Sequence, residues 1–209
     1  MRVKICGLMR PEDAAATVRL GAWALGVIFA PESPRCVDAD AAARVLAGAP
    51  AGVERVGVFV NAEPEEIAAA VEACGLTAVQ LHGEESPGEC LEVQKRTGCT
   101  VIKAFAVAGV DVLERVVQFD TDYVLLDTYH PERRGGTGEI FDWELAGAIP
   151  ESLRSGRLIL SGGLNAANIA EAIKAVRPFA VDVSSGVESS TGKKDHEKLK
   201  ELFGAVKET

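Results

Sequence analysis

The chain has only three histidines, His82, His130 and His196, far apart along 209 residues, and its five cysteines (Cys6, Cys36, Cys74, Cys90, Cys99) include no C-x-x-C pair. Nothing in that spacing suggests a zinc or dithiol redox site, and no metal is expected. Basic residues are also in short supply, with 22 Lys and Arg against 31 Asp and Glu and a formal charge of -9. A nucleic-acid partner needs clustered Lys and Arg to neutralise phosphates, so none is expected. An anionic small molecule stays open, because backbone N–H groups at helix starts attract phosphate even on an acidic protein. No apolar run approaches the ~20 residues of a membrane helix, so no membrane partner is expected. The chain opens on a strand rather than on the basic start and apolar core of a signal peptide, which reads as cytoplasmic. In a reducing compartment, an odd set of irregularly spaced cysteines reads as free thiols, most of them buried as small hydrophobes. Linkers and low-complexity segments are missing too, so residues 1–209 read as a single domain.

What is present is a repeat of short apolar, β-branched runs and alanine-rich helical stretches. Strands are expected at residues 3–6, 24–29, 55–60, 78–82, 100–104, 122–127, 157–161 and 179–184. Helical spacing occupies 11–21, 39–47, 64–74, 86–97 and 165–176, with starts marked by Pro11-Glu12-Asp13, by Glu63-Pro64-Glu65-Glu66 and by Asn165. Eight strands alternating with helices predict an α/β fold, a closed (β/α)8 TIM barrel, with a doubly wound open sheet as the competitor. The fifth unit is the weakest: residues 107–119 combine Gly109 with β-branched valines and promise a poor, irregular helix. Period-two alternation puts Lys4 with Cys6, Gln80 with His82, and Asp182 with Ser184 on inward faces. Strands one and eight are neighbours in a closed barrel, so Lys4 and Asp182 are expected to interact.

Several polar residues stand where strands end, on the face where barrel enzymes keep their active sites. Cys6, before Gly7, is either a buried structural thiol or a proton-transfer group; the second needs cations or helix N-termini nearby to lower its pKa. Asp127, after the apolar Tyr123-Val124-Leu125-Leu126, is either a turn cap or a general acid whose pKa those surroundings raise. Ser161-Gly162-Gly163 and Ser184-Ser185-Gly186 follow strands seven and eight, where barrels frequently bind phosphate, and read as a paired phosphate grip rather than two ordinary turns. Arg35, on a loop stiffened by Pro31 and Pro34, can hold a carboxylate bidentately or simply be solvated. The glycine-rich 134–138 segment offers a closing element over substrate. His82 reads as a hydrogen-bonded barrel histidine, with lining the site as the alternative. Residues 193–196 read as a solvated helix start. Together these point to proton transfer on a phosphorylated small molecule.

In this order the motifs Lys4-Ile5-Cys6-Gly7, Ser33-Pro34-Arg35, Gln80-Leu81-His82-Gly83, Leu125-Leu126-Asp127, Gly135-Gly136-Thr137-Gly138, Leu160-Ser161-Gly162-Gly163-Leu164 and Asp182-Val183-Ser184-Ser185-Gly186-Val187-Glu188 resemble those of the phosphoribosylanthranilate isomerases of tryptophan biosynthesis. The resemblance runs from Val3 to about His196. It implies a (β/α)8 barrel, often with an irregular fifth helix, and a cofactor-free Amadori rearrangement. It further implies Asp127 as general acid, Cys6 as general base, Arg35 on the anthranilate carboxylate, and Gly162, Gly163, Ser184, Ser185 and Gly186 on the phosphate. His82 and Asp182 remain candidates for lining the site. The protein is expected as a monomer or a homodimer. Cys36, where the family often has an aromatic residue, and Tyr129-His130 depart from the pattern. A related barrel isomerase of histidine biosynthesis, or a bifunctional enzyme, carries a carboxylate at the end of strand one, where this chain has Cys6. A catalytically silent barrel is the other rival, and the presence of both Cys6 and Asp127 speaks against it.

Overall fold

In the computed structural model, eight parallel strands pair in chain order and the eighth closes on the first, giving the expected barrel. The structure describes residues 1–107, 111–128, 149 and 151–209. The strands are β1 (Arg2–Ile5), β2 (Ala24–Ile28), β3 (Glu54–Phe59), β4 (Ala78–Leu81), β5 (Thr100–Val107), β6 (Tyr123–Thr128), β7 (Leu158–Leu160) and β8 (Ala180–Val183). Helices α1 (Pro11–Arg19), α2 (Ala39–Leu46), α3 (Pro64–Cys74), α4 (Pro87–Thr97), α5 (Asp111–Val116), α6 (Glu151–Arg157), α7 (Ile169–Val176) and α8 (His196–Lys207) alternate with them. Among the described residues no helix is long and apolar enough to cross a membrane.

Period-two alternation divides the core into two layers. Ala24, Val56, Ala78, Ile102, Ala104, Leu125, Ile159 and Ala180 fill the barrel, while Val3, Ile5, Leu25, Val79, Val181 and their neighbours pack against the helices. The bottom is plugged where strands begin: Trp23, Tyr123 and Phe179 meet with ring centroids 4.8–5.6 Å apart. The C-terminal ends of the strands lie at the opposite end, the mouth at which barrel enzymes keep their active sites. Capping boxes at Glu63/Glu66 and Ser86/Glu89 set the starts of α3 and α4, satisfying backbone donors that a helix start leaves bare.

Three local readings are corrected. β5 continues three residues past Ala104, because Phe105 packs edge-on against Phe119 at 5.0 Å and Val107 still pairs with Thr128. The following helix has only six residues, in keeping with a weak fifth unit. The helix expected from Asn165 begins at Ile169. Asn165 and Asn168 instead turn their side-chain amides onto the Gly163 carbonyl at 3.2 and 3.0 Å, the local bonding by which asparagine competes with helix. Residues 193–196 are not a solvated helix start. Asp195 does cap α8, accepting from Glu197 N and Lys198 N, but Lys193–Lys194 form a short strand, β10, antiparallel to β9 (Glu188–Ser190), and Lys194 is buried.

Candidate active site

The sequence-selected polar residues that the structure describes gather at the mouth. Cys6 follows β1 directly and is buried. Two residues before it on the same face, Lys4 donates to Asp182 Oδ1 at 2.9 Å, the expected contact across the β1–β8 seam. Burial works against the Lys4 ammonium, but Asp182 and Cys6 beside it outweigh that and raise its pKa above the ordinary lysine value. For Cys6 the balance differs from expectation. Burial pushes its thiol up and outweighs the lowering by Lys4 and Lys194, although the cations the sequence reading called for are present. Cys74, Cys90 and Cys99 are buried free thiols, also pushed up by burial, Cys90 to about 11.

Asp127 lies at the end of β6 with His82 Nε2 3.4 Å from its Oδ2. The other ring nitrogen, Nδ1, is 2.8 Å from Gln80 Nε2. With the Gln80 amide donating, Nδ1 accepts and the proton of the neutral ring sits on Nε2, toward Asp127. His82 is thus both a hydrogen-bonded barrel histidine and a neighbour of the proposed acid. Its turn is fixed from behind: Lys103 Nζ donates to Leu81 O, Gly83 O and Glu85 Oε2, and Glu85 accepts from Gly83 N and Asn61 N.

Arg35 is not solvated. Its Nε and Nη2 form a fork on Glu188 at 2.8 and 2.7 Å, and both side chains are largely buried. Lys194 Nζ reaches the same Glu188 at 2.9 Å and also donates to the carbonyls of Cys6 at 2.7 Å and Ser184 at 3.0 Å. One ammonium therefore ties the end of β1, the loop after β8 and the holder of Arg35. Burial is the largest influence on Lys194 and leaves its pKa below the usual lysine value despite Glu188.

The two glycine turns touch. Gly162 and Gly163 both have positive φ, 93° and 64°, a conformation that turns successive N–H groups to one side and that side chains resist. Gly186, in the short 3-10 turn Ser185–Val187, packs so closely on the Leu164 carbonyl that a Cβ has no room. The loops that carry Gly162-Gly163 and Ser184-Ser185 therefore lie against each other. The glycine-rich segment 134–138 and Tyr129-His130 lie outside the described residues.

Residues 3–205 match the family model for N-(5'phosphoribosyl)anthranilate (PRA) isomerase. The N-(5'-phosphoribosyl)anthranilate isomerase of Citrifermentans bemidjiense is 47% identical over 206 residues, spanning 99% of this chain and 97% of that one. The chain belongs to this family. The Thermotoga maritima isomerase is 48% identical over 200 residues, 96% of this chain and 95% of its own. The crystal structure of the Thermus thermophilus isomerase superposes with a TM-score of 0.90 at 38% identity, covering 100% of this chain and 99% of that one. A family structure in complex with reduced 1-(o-carboxyphenylamino)-1-deoxyribulose 5-phosphate superposes at 0.84, with 42% identity and full coverage of both chains.

Within this isomerase fold, sequence reasoning missed Lys194, Glu188 as the partner of Arg35, and Gly26. The glycine had a signal, because glycine inside a strand often marks a close approach. Lys194 stands in Gly192-Lys193-Lys194-Asp195, a further motif shared with the family, but beside Lys193 its own residue pattern looks like half of a solvated pair.

Proposed function

We propose that this chain isomerises N-(5'-phosphoribosyl)anthranilate to 1-(o-carboxyphenylamino)-1-deoxyribulose 5-phosphate, the Amadori step of tryptophan biosynthesis, by general acid–base catalysis. The observation that carries the reading is the near full-length family match on a barrel whose mouth holds both Cys6 and Asp127.

Asp127 gives its proton to the furanose ring oxygen as the C1–O bond breaks, and the nitrogen lone pair forms the iminium. His82, 3.4 Å away, orients the carboxyl. The Cys6 thiolate then takes the proton from C2; the electrons of that C–H bond become the C1–C2 double bond and neutralise the iminium, giving an enolamine. Loss of the enol proton and gain of one at C1 yield the ketone, so no atom is added and no cofactor is required. Arg35, aimed by Glu188, takes the anthranilate carboxylate. The turns at Gly162-Gly163 and Ser184-Ser185-Gly186 take the phosphate through backbone N–H groups. Free thiols fit a cytoplasmic enzyme. A family member from Thermotoga maritima is dimeric; sedimentation velocity distinguishes monomer from homodimer here.

The test is the loss of fluorescence of freshly generated phosphoribosylanthranilate, followed for wild type, Cys6→Ser and Asp127→Asn. Turnover by wild type with a loss of ~10²-fold or more in each variant is expected. A folded wild type without turnover overturns the assignment, and two fully active variants overturn the acid–base roles.

A further inference from the structure

Lys4 is fully buried on the inward face of β1, in a barrel whose apolar filling is alanine, valine, isoleucine and leucine. A buried ion pair generally stabilises a fold no better than well-packed apolar side chains of the same volume. Stability therefore does not account for the Lys4–Asp182 pair. Its position does: Lys4 shares the inward face of β1 with Cys6 and stands within reach of the thiol, while Asp182 faces both from β8.

We infer that Lys4 is the counter-ion of a Cys6 thiolate, held in place by Asp182 across the β1–β8 seam, and so acts as a positioning residue for the base. The inference rests on the reading of Cys6 as the base. Three cations face the thiol, Lys4 from β1, Arg35 from the loop after β2 and Lys194 from β10. Asp182 opposes Lys4, Glu188 opposes Arg35 and Lys194 together, and Gly26 of β2 adds no charge. Among the described residues, three cations against two carboxylates leave one positive charge in excess. A thiolate removes that excess, and protonation of the sulfur by the substrate carbon restores it.

The far-ultraviolet absorbance of the thiolate, taken as the difference between each protein and its Cys6→Ser counterpart, titrates this thiol directly. Lys4→Met is expected to move the midpoint up by about 1–3 pH units. Asp182→Asn frees the ammonium for the sulfur and is expected to move it down. The acid limb of kcat/KM follows in the same directions. The double variant Lys4→Met, Asp182→Asn leaves no lone buried charge, is expected to shift upward, and carries the test if Lys4→Met fails to fold. Unchanged midpoints overturn the inference, since breaking a merely structural bridge lowers stability and leaves the thiol alone. Full activity in Cys6→Ala instead overturns Cys6 as the base, an outcome the titration does not mimic.

Discussion

Gly26 faces the Cys6 thiol across the β1–β2 seam: a Cβ at Gly26 falls 2.9 Å from Sγ and 3.3 Å from the Cys6 Cβ. Backbone on both sides prevents either strand from yielding, so the sulfur moves. Gly26→Ala is expected to lower kcat by ~10²-fold through misplacement of the base, with an overpacking cost of about 1–3 kcal/mol. Steady-state kinetics alongside thermal unfolding check this; an alanine variant of full activity shows that the thiol needs no such clearance.

Glu188→Gln breaks the fork that aims Arg35. KM is expected to rise ~10-fold, equivalent to ~1.4 kcal/mol, with less effect on kcat. Burial alone would raise the Glu188 carboxyl, but Arg35 and Lys194 together hold it below its ordinary value near 4.5. A carboxyl lowered by folding stabilises the native state above the unfolded pKa, and that contribution disappears as pH falls through the folded value. Urea unfolding below pH 4.5 is therefore expected to show a steeper loss for wild type than for Glu188→Gln. Parallel curves would remove Glu188 from the acid sensitivity.

Lys103→Met leaves Glu85 buried with its backbone donors and no cation. Loss of one partner from such a pair costs about 3–5 kcal/mol, or roughly 10 °C in Tm for a chain of this size. Calorimetry measures it. A change of a degree or less would mean that the turn behind His82 is held by its backbone bonds alone.

His82→Ala removes the ring beside Asp127 while both substrate grips remain. A fall in kcat of ~10-fold, about 1.4 kcal/mol, is expected with KM nearly constant. A rise in KM at constant kcat would mean that His82 binds substrate instead of orienting the acid.

The barrel and its inward faces were legible because strand alternation has a period of two and each strand carries it over several residues. That is why Lys4 and Asp182 could be matched across 178 positions. Local competition was not legible: the Asn165 amide could start a helix or bind a carbonyl, and only the neighbouring Gly163 decides it. Nor could the sequence show the direction of the Cys6 shift, since two lysines and burial oppose each other there and their balance depends on three-dimensional depth. Arg35 reads as a carboxylate holder or a solvated side chain, and its partner Glu188 lies 153 positions away, where no local pattern could match the two. Lys194 looked solvated because its pairing with Glu188 depends on the short β9–β10 hairpin.

That closure has a consequence for the order of synthesis. Lys194 meets the Cys6 carbonyl across 188 positions. At ~5–20 residues per second, the first strand waits roughly 10–40 s for that ammonium to be made. The tie between the first strand and the loop after β8 therefore forms only after all eight barrel strands have been made. A nascent chain stopped short of β10 carries the thiol without its surroundings.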